Sequence, residues 1–261
     1  MMNRPSLLLS GLVALCCAAL LAGASEWPAP IKALEARGVE VIGTFEAPGG
    51  LTGYAAIGRQ QPLALYLTAD RKQVIVGPMF DAKGSNLSDA PLERLVGKPM
   101  TDRNWKALEA SSWIADGSNG ATRIVYAFTD PNCPYCHKFW SDSRPWINAG
   151  NVQVRHVIVG ILGPTSPGKA AALLGATDPA AALAQHEQDF ASGGIAVMAP
   201  IPQALRTKLE TNAALMERLG SQATPTIFFK DDSGKLQKVQ GAPSPDALVK
   251  MFGPNPDQAG R

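Results

Sequence analysis

Cys133 and Cys136, separated by Pro134 and Tyr135, are the residues of this 261-residue chain best suited to chemistry. A Cys-x-x-Cys pair can cycle between dithiol and disulfide, with one sulfur attacking a foreign disulfide and the other displacing the product. The pair follows the apolar run Ile124 to Phe128 and precedes helix-permissive residues reaching Trp140. That order predicts strand, short loop, then helix, with Cys133 in the first helical turn. There the backbone N–H groups are unpaired and the helix dipole is positive, so a thiolate is favoured. Pro134 suits the first helical position because no hydrogen bond is lost there. Cys136 lies one turn deeper on the same face. Burial should hold its pKa higher, which suits a resolving thiol.

Other readings of the motif fit less well. A structural zinc needs four ligands. The sequence holds no second Cys-x-x-Cys beyond the N-terminal segment, and His137, His156 and His186 stand 19 and 30 residues apart without a metal-ligand rhythm. Cys133 to His137 formally spells the c-type haem attachment pattern, although it directly follows a buried-strand pattern. A structural disulfide closing a four-residue loop would constrain the unfolded chain very little. No metal and no cofactor is expected beyond the redox-active pair itself. Thr224-Pro225 stands directly before the apolar run Thr226 to Phe229. Proline at the entry of a central strand is accommodated either by a cis bond in a tight turn or as a simple strand-start residue.

The cysteine count depends on the N-terminus. Arg4, then Leu7 to Leu9 and an uncharged apolar run to Ala22, ending in Ala22-Gly23-Ala24, has the pattern of a cleaved secretory signal over residues 1–24. A membrane anchor is the rival reading. Lipid attachment at Cys16 is disfavoured because Leu15 stands where a small residue is needed. Cleavage would remove Cys16 and Cys17, leaving Cys133 and Cys136 as the only pair, in a compartment where disulfides persist. The net charge of +2, with no block of like charges, gives no reason to expect nucleic acid or a polybasic membrane contact.

The elements that must position the pair divide in two. A short helix near Ile31 to Gly38 precedes strand-like runs at Val39 to Phe45, Leu51 to Ile57, Leu63 to Thr68 and Gln73 to Val76. Their separators are turn material, Gly58 to Pro62 among them. A sheet so small buries little surface alone, and a dimer that shares it is expected. A connecting helix over Asp102 to Ile114 follows. From Thr122 the pattern becomes α/β, with strands at Ile124 to Phe128, Val152 to Val159, Thr226 to Phe229 and Lys235 to Gln240. Helical segments run from Gly168 to about Leu219, broken at Asp178-Pro179, Ser192 to Gly194 and Pro200 to Pro202, and a closing helix spans Asp246 to Phe252.

The run Phe128-Thr129-Asp130-Pro131-Asn132-Cys133-Pro134-Tyr135-Cys136, joined by Phe139-Trp140, Arg144-Pro145-Trp146 and the distant Ala223-Thr224-Pro225-Thr226, resembles the DsbC/DsbG family of periplasmic disulfide isomerases. The resemblance spans the chain beyond the signal and implies an α+β protein. Residues 25–85 would form a small cystatin-like antiparallel-sheet dimerisation domain and residues 86–118 a linker helix. Residues 119–261 would form a thioredoxin-like α/β domain, with a helical insertion at about 165–219. It further implies a homodimer and catalysis by Cys133 and Cys136, with Thr224 and a cis-Pro225 set against Cys133 to bind substrate backbone. The implied partners are exported proteins with disulfides or oxidised cysteines, and a DsbD-type membrane reductase. Reduction of sulfenic acids would also be within reach of an accessible thiolate of low pKa. Thioredoxins carry a buried carboxylate on the strand before the motif; Ile124 to Phe128 has none, which leaves the proton route from Cys136 open. His137 is expected on a helix face with no assigned role. A disulfide oxidase, or a chaperone that binds unfolded exported proteins with secondary redox activity, are the alternative functions.

Overall fold

A computed structural model describes residues 27–258. The expected signal segment, with Cys16 and Cys17, lies outside the described residues. Strands β1 (Glu40–Glu46), β2 (Thr52–Gly58), β3 (Gln61–Leu67) and β4 (Val74–Val76) form an antiparallel meander in sequence order. Helix α1 (Ala29–Glu35) covers one face, burying Ile31 against Tyr54, Ala56, Leu65 and Leu67. The opposite face, with Phe45, Ala55, Ala64 and Tyr66, packs under Leu92, Leu95 and Val96. Pro62, expected in a turn, lies instead in β3 opposite Ile57. β4 reaches only Leu65 to Leu67, so no ladder bond is lost at the proline. The turn shrinks to Arg59 and Gln60, both with positive φ (50° and 64°), the handedness that matches strand twist.

Helices α2 (Asp89–Leu92) and α3 (Lys98–Glu109) run together through a π turn at Glu93–Gly97. Pro99 has no N–H to give the carbonyl four residues back, and its ring would clash there; the widened turn accommodates it. The connecting helix expected to reach Ile114 stops at Glu109, and Trp113–Asp116 forms strand β5 within the span 86–118 expected as linker helix. Ile114 is buried against Ile158 and the helices beyond it, while the Arg155 guanidinium sits 4.5 Å over the Trp113 ring. These long-range contacts outweigh the helical spacing of the local sequence.

The second sheet joins β5 with β6 (Arg123–Thr129), β7 (Val152–Ile158), β8 (Thr226–Lys230) and β9 (Leu236–Gln240), in the order β5-β7-β6-β8-β9. β6 and β7 are parallel and the other pairs antiparallel. β6 lies at the centre, and alternate residues are buried on both faces, which explains its unbroken apolar run. Val125 and Ala127 face Phe139 of α4 (Pro134–Asp142), Trp146 of α5 (Arg144–Asn148) and Leu248, Met251 and Phe252 of α9 (Pro245–Phe252). Tyr126 and Phe128 face Leu108 of α3 and Leu215 and Met216 of α8 (Gln203–Arg218). Helices α6 (Ser166–Gly175) and α7 (Pro179–Gln188), with α8, form the insertion, broken at the positions the sequence predicts.

Candidate active site

β6 ends at Thr129 and the chain turns through Asp130, Pro131 and Asn132 into α4. Cys133 is the N-cap, in extended conformation (φ −87°, ψ 112°), and Pro134 opens the helix. The Cys133 N–H bonds to the Asp130 carbonyl at 3.0 Å, while the Cys133 carbonyl accepts the N–H groups of Cys136 and His137, both at 3.1 Å. The Cys136 N–H also donates to Cys133 Sγ at 3.3 Å. Sulfur therefore takes the place of the oxygen that ordinarily caps a helix.

Both cysteines are free thiols. The Cys133 pKa falls from 9.0 to about 6, chiefly because the Cys136 thiol donates to it. Burial opposes the fall, and the Thr224 side chain and the N–H groups of Cys136 and Tyr135 add to it. Cys136 moves the other way: burial, then the neighbouring Cys133, drives its pKa well above 9.0. The two sulfurs are thus unequal, as their helix positions predict.

Of the two residues expected against Cys133, Thr224 touches its sulfur, and Pro225 follows directly in the chain. The peptide bond between them is cis. The Thr224 carbonyl accepts the Cys133 S–H at 3.3 Å. The Pro225 carbonyl is held by the Gly241 N–H at 2.8 Å. Tyr135 is 62% exposed beside the pair, whereas Cys133 is only 2% exposed.

Three clusters around the motif were not foreseen. Asp130, 1% exposed, places its carboxylate under four donors, the N–H groups of Asn132, Ile161 and Leu162 and the Ser166 hydroxyl. Asn132 carries the network outward, donating from Nδ2 to Thr165 Oγ1 and Ser166 Oγ and accepting from Lys169 Nζ. Beside α4, His137 Nδ1 pairs with the buried Glu187 carboxylate at 2.8 Å, and its ring stacks on Phe190 at 4.5 Å. The neighbouring His186 hydrogen-bonds the Pro131 carbonyl through Nε2 and accepts the Ile195 N–H at Nδ1, so the insertion grips the loop before the cysteines from outside. Across the sheet edge, Asp116 pairs with Arg144 in a two-pronged contact and stands 3.5 Å from His156. Burial pushes the Asp116 carboxyl up, but the His156 ring beside it and the hydrogen bonds from Arg144 overcome it and hold the pKa at about 2. Asp130 carried one signal in sequence, an Asp-Pro at the exit of a buried strand. The pairs His137–Glu187, His186–Pro131 and Asp116–Arg144 join residues 50, 55 and 28 positions apart, and no local pattern marks them.

Fold and site together define a thioredoxin-like protein with a dithiol centre, and the sequence model of the thioredoxin-like domain matches residues 115–253. The thiol:disulfide interchange protein DsbG of Pseudomonas aeruginosa is 49% identical over 237 residues, which is 91% of this chain and 93% of that protein. DsbG of Escherichia coli is 40% identical over 236 residues, 89% and 94% of the two chains. Among solved structures, the catalytic domain of Proteus mirabilis ScsC aligns with a TM-score of 0.48 and 21% identity, over 60% of this chain and 96% of that one. The chain belongs to the DsbG family of thiol:disulfide interchange proteins and is a thiol:disulfide oxidoreductase. Among the described residues, no helix is long and apolar enough to cross a membrane.

Proposed function

We propose that this oxidoreductase works in the periplasm, exported by a cleaved signal, as a reductase and isomerase of disulfides in other exported proteins. Cys133 is the attacking thiol, Cys136 resolves, and Thr224 with Pro225 supplies the wall along which client backbone lies. The observation that carries the reading is the opposed ionisation of the two sulfurs, with Cys133 at about 6 and Cys136 well above 9.0. Attack by the Cys133 thiolate opens a client disulfide and forms a mixed disulfide. Displacement by Cys136 completes reduction, and displacement by a second client thiol completes isomerisation.

The same thiolate can meet a client sulfenic acid. The Cys133 sulfur bonds to the client sulfur, and hydroxide leaves with a proton as water. Cys136 then releases the reduced client and closes the Cys133–Cys136 disulfide. A membrane reductase of the DsbD type would return that disulfide to the dithiol. Homodimerisation through the first sheet is supported by Ile42 on edge strand β1 and by Ile75 and Val76 on edge strand β4, all exposed in the single chain. Expression of Cys136→Ala in the native host tests the assignment. Clients should accumulate as mixed disulfides on Cys133; single-cysteine clients would mark sulfenic-acid repair and multi-cysteine clients isomerisation. Absence of adducts would remove Cys133 as the attacking thiol.

A further inference from the structure

Among the described residues, the second domain exposes five large apolar side chains, Tyr135, Ile161, Leu162, Val197 and Val249. Single apolar side chains on a surface are ordinary, but four of these gather round the loop that carries Cys133. Tyr135 lies inside the motif. Ile161 and Leu162, 50% and 53% exposed, follow β7, and their N–H groups both turn inward to Asp130 Oδ2, at 2.7 and 3.0 Å. Val197 lies against Gly168 in the first turn of α6, so close that a Cβ added there would come within 2.4 Å of Val197 Cγ1. That turn is tied to the same loop: the Ser166 hydroxyl donates to Asp130 Oδ1 at 2.8 Å, and Asn132 Nδ2 donates to Ser166 Oγ at 2.9 Å. The Asp130 carbonyl takes the Cys133 N–H at 3.0 Å. Asp130 therefore holds the backbone beneath Ile161 and Leu162 and the backbone of the attacking cysteine together, with both apolar side chains left in solvent.

We propose that Ile161 and Leu162 form a docking site for apolar side chains that flank the cysteine of an unfolded client. The site would bias Cys133 towards cysteines that the folded client buries in its own core. The inference deepens the reading above and rests on Cys133 being the attacking thiol. A client joined to Cys133 must bring its own chain across this end of the domain, and an extended chain advances about 3.3 Å per residue. Residues a few places from the client cysteine therefore come within reach of the Ile161–Leu162 segment, which is one hydrogen-bonded residue away from Cys133. The neighbouring charge, Lys169, is engaged by Asn132 Oδ1 at 2.8 Å and the Gly193 carbonyl at 2.7 Å, which leaves apolar contact rather than charge as the means of recognition. Because the segment is held before the client arrives, apolar area is covered without first ordering a loop.

The test uses disulfide-linked dimers of two single-cysteine peptides, one with leucine and valine beside the cysteine and one with serine and glycine there. Reduced protein is mixed with each below saturation, and release of the peptide thiol is followed by acid quench and mass spectrometry. Each rate is taken relative to that of glutathione with the same peptide. The unaltered protein should react about tenfold faster with the apolar peptide, equivalent to about 1.4 kcal/mol. The double variant Ile161→Ser, Leu162→Ser should cut that preference to about twofold, chiefly by slowing the apolar peptide. Leu162→Ser alone should fall between, and it serves by itself if the double variant does not fold. No preference in the unaltered protein, an undiminished preference in every folded variant, or equal slowing of both peptides would overturn the inference. A fall in the oligomeric mass of the variants would overturn it too, because the patch would then belong to a second copy of the chain. The reading beneath it fails separately, if Cys133→Ala still reacts with either peptide.

Discussion

Replacing Cys136 by alanine should do more than block resolution, because the Cys136 thiol is the largest single influence holding the Cys133 pKa down to about 6. A hydrogen bond to a charged group contributes about 1.5–3 kcal/mol, and one pKa unit corresponds to about 1.36 kcal/mol. Losing the thiol should therefore raise the Cys133 midpoint to about 7–8. It should stop short of the ordinary value of 9.0, because the Cys136 N–H at 3.3 Å, the Tyr135 N–H and the Thr224 side chain all remain. At pH 7 the thiolate fraction of Cys133 would drop from about nine-tenths to between about one-tenth and one-half. Titration of the thiolate ultraviolet absorbance in reduced protein reads this directly. Cys136→Ser, which keeps a donor hydroxyl, should titrate closer to the unaltered protein. A midpoint unchanged in Cys136→Ala would refute the sulfur-to-sulfur hydrogen bond as the cause. Equal rises in both variants would show that the hydroxyl does not substitute for it. A practical corollary is that client trapping with Cys136→Ala should be more efficient above pH 8 than at neutrality, by the thiolate fraction.

Two further outcomes concern the scaffold beneath the site. Asp116 has its pKa lowered from 3.8 to about 2. Its contribution is present above about pH 4 and disappears as the pH falls through about 2. At about 1.36 kcal/mol per pKa unit this amounts to about 2 kcal/mol; Asp116→Asn should lower stability by a similar amount at pH 7 and flatten the loss between pH 4 and pH 2, both measurable by urea unfolding. Phe139 of α4 is fully buried against Phe252 and the apolar face of β6. Phe139→Ala should cost about 3–5 kcal/mol and displace the cysteine helix, so that denaturant midpoint and peptide-disulfide reduction rate fall together.

The parts of the molecule legible in sequence are those specified by near neighbours. The meander strands announce themselves through turns a few residues away, and Cys133, Pro134 and Cys136 carry the helix start, the capping sulfur and the deeper thiol in four positions. Thr224-Pro225 was legible as an unusual strand entry, and its place against Cys133 came from the family resemblance. What escaped depends on distant partners. Trp113 and Ile114 read as helix because their strand partners, Val157 and His156, lie more than forty residues on. His137 looked like an idle helix-face residue because Glu187 reaches it from the insertion. Asp130 sat in plain view beside the motif, but the donors from Ile161, Leu162 and Ser166 that give it a role come from beyond β7. Its burial follows from chain crossings that no local periodicity reports.

The inequality of the two sulfurs is tested most directly by alkylating the reduced native protein with iodoacetamide across a pH series and mapping the labelled cysteine by mass spectrometry. Labelling should fall on Cys133 first, with a rate that rises through a midpoint of about 6 and then levels off, while Cys136 stays unlabelled at neutral pH. Equal labelling of both cysteines at neutral pH, or a Cys133 midpoint near the ordinary thiol value of 9.0, would contradict it.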